Sequence, residues 1–374
     1  MDLSYSDEQK LLADSANGLL AARMQKKEAR DLWSEMAELG WLGLPLPEAH
    51  GGLGQGAVET AILAESFGRH LVATTYVPQV VTCGALIAAL GDDHQKNALL
   101  APLAEGKAKI ALAHAEEGSR HDLSRVNAKA VRDGAGWRLT GRKIAVLGAG
   151  EADTILISAR TPKGIGVFAA PRTSLSLETY LTLDGGTAAR ITLDNVALPA
   201  DALLGGAENA LPAIEQGNDA TRVEASHAIE QGNDRAIAAY CAECVGLMEA
   251  ATAATIEYTK IRVQFGKPLA VNQVLRHRMA DMSIQCEEAR SMALRAALHV
   301  DDEDAAARGR AVSGAWAKIS KSARFVAEQA IQLHGGMGVT NELNIGSFLK
   351  RVIALDAIVG GPDHHLRRHT ALSR

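Results

Sequence analysis

Two short runs carry the residues of this chain best suited to chemistry: Arg262-Val263-Gln264-Phe265-Gly266-Lys267, and then Gln332-Leu333-His334-Gly335-Gly336-Met337-Gly338. Each sets a cation or an amide donor beside glycines at the end of a helical stretch. A planar guanidinium forks onto a pyrophosphate, and glycine lets bare backbone come close to one. Together the runs could hold a dinucleotide without a Rossmann turn. Either run alone has an everyday explanation, a solvated arginine at a helix end or a Gly-Gly C-cap.

The elements that must position these runs can be read from periodicity. Ser6-Asp7-Glu8-Gln9 is a capping-box start, and leucines and alanines follow it at helical spacing to about residue 24. Further helices fit 29–39, 56–68, 79–91 and 93–105. From about 110 to 200 the texture changes. Trp137-Arg138-Leu139-Thr140, Thr154-Ile155-Leu156-Ile157-Ser158, Ile165-Gly166-Val167-Phe168 and Ala189-Arg190-Ile191-Thr192-Leu193 alternate or sit between Gly, Pro and Asp punctuation, which predicts a small all-β domain. After 205 the helical period returns. Leu275, Met279, Met282, Cys286, Ala289, Ala293 and Ala296 step by four and three, as do Val312, Trp316, Ile319, Ala323, Val326, Ala330 and Leu333. These narrow seams predict a C-terminal four-helix bundle, with Asp301-Asp302-Glu303-Asp304 as a solvated turn and helix start between two of its members. The expected fold class is mainly α with a β middle domain, divided as 1–109, 110–205 and 206–374.

Ala213-Ile214-Glu215-Gln216-Gly217-Asn218-Asp219 recurs as Ala228-Ile229-Glu230-Gln231-Gly232-Asn233-Asp234. This is a tandem duplication across 213–234, expected to form a loop or helical extension ahead of a helix beginning near Arg235, because added length at a surface connection costs little entropy.

At 374 residues the chain is long enough for two or three domains, and its 47% hydrophobic and 22% charged fractions are those of a globular protein. A net charge of −5 argues against nucleic acid or an anionic membrane surface as the main partner. No run approaches the roughly 18 apolar residues of a membrane span. The acidic start, Met1-Asp2-Leu3-Ser4-Tyr5-Ser6, is unlike a signal peptide and suggests a cytoplasmic protein. Cys241 and Cys244 form a Cys-x-x-Cys inside an alanine-rich helical run with no second pair, which points to buried thiols rather than a metal site. His334, His364 and His365 lack ligand spacing and are expected on loops or at the surface.

The two runs, in this order and separated by two long helices, resemble the acyl-CoA dehydrogenase family. Gly40-Trp41-Leu42-Gly43-Leu44-Pro45 with Pro47-Glu48-Ala49-His50-Gly51-Gly52-Leu53-Gly54 is similar to that family's first loop, and Leu193-Asp194-Asn195-Val196-Ala197-Leu198-Pro199 with Leu203-Leu204-Gly205 to the strand that leads into its last helical domain. The resemblance implies the family's fold, an N-terminal helical domain, a small β-barrel or sandwich and a C-terminal four-helix bundle. It also implies FAD as cofactor, held by Arg262, Gln264, Phe265, Gln273, Gln332, Gly335 and Gly336. The implied reaction is α,β-dehydrogenation of an acyl-CoA thioester, with an electron-transfer flavoprotein as acceptor. That chemistry needs a carboxylate base at the α-carbon and hydrogen bonds to the thioester carbonyl.

Here the chain departs from the family. Counting from Arg351, the place of the usual base falls on Gly360, which retains only a backbone N–H to offer the thioester. The alternative helical position falls on Ala236. Glu243, Asp234 and Asp363 are nearby acids that read as structural or surface groups. The family's ring-facing stretches become Ala115-Glu116-Glu117-Gly118-Ser119-Arg120-His121-Asp122 and Ala145-Val146-Leu147, without the aromatic wall and the hydroxyls. A subunit with the nucleotide half but not the ring half resembles the small subunits of pimeloyl-CoA and steroid side-chain dehydrogenases, a match that Asp356 and the Asp363-His364-His365-Leu366 ending share. The expected partners are acyl-CoA and a second dehydrogenase subunit, in a homo- or hetero-oligomer of two or four chains. The alternatives are a homo-oligomeric dehydrogenase with a relocated base, a flavin monooxygenase of the same fold, and a non-catalytic acyl-CoA-binding scaffold.

Overall fold

The computed structural model describes residues 5–25, 31–205, 220–340 and 342–374. The fold is mainly α with a β-rich middle. Ten helices are described: α1 (Asp7–Gln25), α2 (Leu32–Glu38), α3 (Ala57–Arg69), α4 (Cys83–Leu90), α5 (Asp93–Ala104), α6 (Ala220–Ile261), α7 (Gln273–His299), α8 (Ala305–His334), α9 (Ile345–Val359) and α10 (Pro362–Leu372). The chain divides into two compact units. One comprises Met1–Glu28, Ala57–Thr74 and Ile237–Arg374; the other comprises Ala29–Gly56 and Thr75–Ala236.

In the first unit, the capping box forms as its residues dictate: Ser6 N–H donates to Gln9 Oε1 (3.0 Å) and Gln9 N–H to Ser6 Oγ (3.2 Å). The bundle seams are buried where the periodicity put them, from Met279 to Ala296 on α7 and from Val312 to Leu333 on α8. Asp304 caps α8 by accepting from the N–H groups of Ala306 and Ala307, and these bonds hold its carboxyl below the usual range. Helices α3 and α6 meet at backbone distance through two glycines. A Cβ on Gly68 would lie 2.0 Å from Glu243 O, and one on Gly246 would lie 2.0 Å from Glu65 O. Beside that crossing Arg69 and Arg290 each pair with both Glu65 and Glu249, so four charges brace α3, α6 and α7.

The second unit is built on a seven-stranded sheet of β1 (Ile110–Ala113), β2 (Lys129–Asp133), β3 (Gly136–Leu147), β4 (Thr154–Thr161), β5 (Gly164–Pro171), β6 (Ser176–Leu181) and β7 (Thr187–Leu198). Their order is β1-β4-β2-β3-β7-β6, with β5 also on β4; β1 and β2 run parallel to β4 and the remaining pairs are antiparallel. Alternating Ile155, Ile157, Leu139, Ile191 and Leu193 fill its core, where Trp137 meets Phe168 edge-on at 5.1 Å. Helix α5 is tied to the end of this domain by one side chain: Gln95 Nε2 donates to Asp201 O and Leu203 O (both 2.8 Å), and its Oε1 accepts from Gly205 N–H (3.0 Å).

Three expectations are revised. Helix α6 starts at Ala220, not near Arg235, so the second repeat copy, Ala228–Asp234, is helical; Gly232 is accommodated where a Cβ would approach Thr82 O at 3.4 Å. The first copy, residues 213–219, lies outside the described residues. Helix α6 also contains an 18-residue window of mean hydropathy 1.3, enough by length and composition for a span, but 83% of that window is buried within the protein itself, as in a core helix. Third, the stretch read as one helix over 79–91 opens with a π-helical turn, Val77–Thr82, before α4.

Candidate functional site

The Arg262 run is the turn that follows α6. Arg262 N–H closes the helix on Tyr258 O (2.9 Å), and Leu269 N–H returns to Arg262 O (2.9 Å). Between them β8 (Val263–Gln264) pairs with β9 (Lys267–Pro268) around Phe265-Gly266, whose φ values of 54° and 80° are both positive, as a two-residue hairpin turn requires. Phenylalanine is a poor choice for that backbone. Its ring is 98% exposed, so packing within the chain does not explain it. Arg262 and Gln264 are exposed on the same hairpin, and Gln264 turns its amide onto the neighbouring Val263 O. Gln273, also exposed, begins α7, whose N-cap Asn272 gives its side chain to Leu269 O and makes no cap bond to the helix.

The second run ends α8. Gln332 is exposed, and its carbonyl accepts from Gly335 N–H as the chain turns at φ 59° into a short 3-10 stretch, Gly335–Val339. The glycines differ in their surroundings. A Cβ on Gly338 would lie 2.6 Å from Ile331 O, so that residue serves close packing, whereas one on Gly335 or Gly336 would meet nothing within 4 Å. Open backbone at Gly335-Gly336 and a solvent-facing guanidinium at Arg262 fit the diphosphate half of FAD. Tyr258 stacks on His334, with centroids 4.3 Å apart, and this contact brings the two runs together. That pair is not legible in the sequence, where His334 reads as a surface or loop residue; it is the last residue of α8 and 4% exposed.

In the second unit the two ring-facing stretches are also neighbours, since Ile144 N–H donates to Ala115 O (2.9 Å). Ala145 sits at φ 52° in the register shift of β3 between Lys143 and Val146, a strained backbone of the kind that clusters at functional sites. Beneath it Lys143, fully buried, donates to Glu116 Oε1 (2.7 Å), Ser158 Oγ (3.0 Å) and His114 O (3.1 Å), and Glu116 also accepts from the N–H groups of Asn127 and Ala128. Those partners outweigh burial and hold the Glu116 carboxyl below its usual range. Burial first, then the Lys143 charge, lowers His114 to about 4, so its imidazole is neutral and packs on Ser158 Oγ at 2.9 Å. These bonds tie β3 and β4 to the segment after β1, beside the stretches that carry Ala115, Ala145 and Leu147.

The two positions for a base carry none. Gly360 follows α9 at φ 101°, ψ 138°, a backbone that side chains rarely adopt. Its N–H, expected to be available to a thioester, instead caps α9 on Asp356 O (3.0 Å), and its carbonyl accepts from Trp316 Nε1 (2.7 Å). Ala236 lies buried on α6. Glu243 is held bidentate by Arg351 (Nε–Oε1 2.5 Å, Nη2–Oε2 3.0 Å), Asp234 is fully buried in a helix, and Asp363 is exposed in the first turn of α10. His365, expected at the surface, is 1% exposed, with Nε2 donating to Val359 O (3.0 Å) and Nδ1 3.3 Å from Ser313 Oγ. The four cysteines are buried thiols, and no cluster of metal-ligating side chains occurs among the described residues.

Along the chain the elements run helical, then β-rich, then helical, with the two glycine-bearing runs at helix ends in the last stretch. Comparison with known proteins gives the family. Residues 6–107 match the acyl-CoA dehydrogenase N-terminal domain and residues 232–372 the acyl-CoA dehydrogenase C-terminal domain, together well over half of the chain. The chain belongs to the acyl-CoA dehydrogenase family, whose members are oxidoreductases with FAD as cofactor. It is similar to the probable acyl-CoA dehydrogenase YngJ of Bacillus subtilis, 29% identical over 333 residues (85% of this chain, 83% of that protein). It is also similar to acyl-CoA dehydrogenase FadE12 of Mycobacterium tuberculosis, 28% identical over 333 residues (85% and 81%). Among solved structures, the Tcur3481-Tcur3483 steroid ACAD variant is 29% identical with a TM-score of 0.82, covering 98% of this chain and 97% of that one.

Proposed function

We propose that this chain is the companion subunit of a heteromeric acyl-CoA dehydrogenase, supplying the adenosine-diphosphate half of an FAD site whose ring half and base come from a second, related subunit. The observation that carries this is the contrast between the two halves. Arg262 and Gly335-Gly336 stand open, while Gly360 has both backbone groups engaged and no side chain to take a proton. Glu243 is no substitute, because its carboxylate is committed to Arg351. The similarity to a steroid ACAD named for two components agrees with this reading.

In this proposal Arg262 neutralises the diphosphate, the bare backbone at Gly335-Gly336 lets it approach closely, the Gln332 and Gln273 amides donate to the nucleotide, and Phe265 covers an apolar part of it beside Gln264. The bound flavin supplies the hydride acceptor. Charge neutralisation and exclusion of water are this chain's contribution, and removal of the α-proton belongs to the other subunit. The substrate is an acyl-CoA thioester, the electron acceptor an electron-transfer flavoprotein, the setting cytoplasmic, and the division by fold 1–109, 110–205 and 206–374. Purification from its own cells under native conditions, with the co-purifying chains identified by mass and flavin counted per chain, tests this. A second dehydrogenase chain with fewer than one flavin per polypeptide supports it; a homo-oligomer with one flavin on every chain refutes it.

A further inference from the structure

Residues 261–267, including Arg262, are all exposed, and so are Gly335 and Gly336. These exposed residues have no packing of their own to fix the distance between the two runs. Each is instead set by the residue that anchors it: Tyr258, whose carbonyl accepts Arg262 N–H, and His334, which immediately precedes Gly335. These two, 76 residues apart in sequence, lie face to face. Their planes are inclined by 25°, and the Tyr258 hydroxyl donates to His334 O at 3.4 Å. That carbonyl is one of the last in α8, which the helix itself leaves without a donor. A carbonyl only accepts, so His334 Nδ1 carries the proton and donates to Ala330 O (2.8 Å), which fixes the ring's orientation. Burial lowers the pKa of His334, consistent with a neutral stacking partner.

We infer that the Tyr258–His334 stack positions the two runs, setting the distance between the Arg262 guanidinium and the Gly335-Gly336 backbone at which a single nucleoside diphosphate is gripped by both. This rests on the proposal that those runs hold the nucleotide. A grip shared by two elements is sensitive to their separation at the level of about half an ångström, which a flat, two-point contact controls and an aliphatic filler does not.

The test uses the flavin-loaded protein in its native assembly, with Arg262→Ala, Tyr258→Leu, Tyr258→Phe and His334→Phe. Flavin release is followed by fluorescence recovery on dilution, ADP binding to the flavin-free assembly by calorimetry, and folding by urea unfolding of the same flavin-free samples. Tyr258→Leu is expected to release flavin about tenfold faster and to weaken ADP by about the same factor. Tyr258→Phe, which loses only the 3.4 Å bond to His334 O, and His334→Phe, which loses only the Nδ1 bond to Ala330 O, keep the stacked planes and are expected within about threefold of the unaltered protein. If Arg262→Ala weakens flavin and ADP while Tyr258→Leu, folded, leaves both unchanged, the positioning role is overturned and the nucleotide assignment stands. Equal loss in Tyr258→Leu and Tyr258→Phe also overturns it, since the plane would then not matter. If Arg262→Ala changes neither ligand, the assignment of the runs itself fails.

Discussion

Replacing Gly360 tests whether this position can carry the family's base at all. At φ 101°, ψ 138° a side chain costs about 1–3 kcal/mol of backbone strain, and Trp316 Nε1 on the Gly360 carbonyl at 2.7 Å keeps the turn from relaxing by rotation. Against this, a Cβ narrows the unfolded ensemble and returns about 0.4–1 kcal/mol. The net expectation for Gly360→Ala is a loss of about 1–2 kcal/mol, a fall in the urea midpoint of about 0.5 M for a slope near 3 kcal/mol per molar. The neighbour is a built-in control. Gly361 has φ −71° and nothing within 4 Å of its Cβ site, so Gly361→Ala should be near neutral, a small N-cap loss offsetting the unfolded-state gain. Gly360→Glu should lose at least as much as Gly360→Ala and gain no α-proton abstraction in a deuterium-exchange assay with acyl-CoA. A Gly360→Ala protein as stable as the original, or a Gly361→Ala protein that loses as much, would refute this reasoning.

Other outcomes follow from the same geometry. Arg262→Ala should weaken flavin binding by about 1.5–3 kcal/mol, roughly ten- to a hundredfold, in equilibrium titration; unchanged affinity would remove Arg262 from the site. Arg351→Met leaves Glu243 buried without its ion-pair partner and should cost about 3–5 kcal/mol in chemical denaturation, more than Glu243→Gln; the reverse order would mean that the pair is not structural. For His114 the folded pKa of about 4 lies below the ordinary 6.5. Its contribution is therefore complete above pH 6.5 and is lost as pH falls towards 4, by roughly 2–3 kcal/mol for this partly exposed ring. His114→Gln should flatten that part of the stability profile; an unchanged acid limb would show that His114 titrates normally.

What was legible in the sequence follows from how local each signal is. The capping box at Ser6 and Gln9, the Met279-to-Ala296 and Val312-to-Leu333 seams and the alternating β strands depend on residues a few positions apart, and all formed as expected. The burial of His334 and His365 was not legible, because each is satisfied by a carbonyl on its own helix or the preceding turn while neighbours from other elements exclude solvent. The early start of α6 was hidden by Gly232 and Asn233, which read as a turn but are carried through by a long helix. The Gly68 and Gly246 crossing involves residues far apart in sequence, and nothing in one sequence marks them as partners. At the proposed site, the motif letters single out Arg262 and Gly335-Gly336 as candidates, while the commitment of the Gly360 N–H to Asp356 depends on a φ value that the letters do not give.

The most direct measurement is the response of flavin absorbance to acyl-CoA under anaerobic conditions, recorded for this chain alone and for the complex purified with its partner. The complex is expected to bleach, whereas the chain alone, even when supplied with FAD, keeps its oxidised absorbance. Full bleaching of a solitary chain carrying one flavin per polypeptide would contradict this.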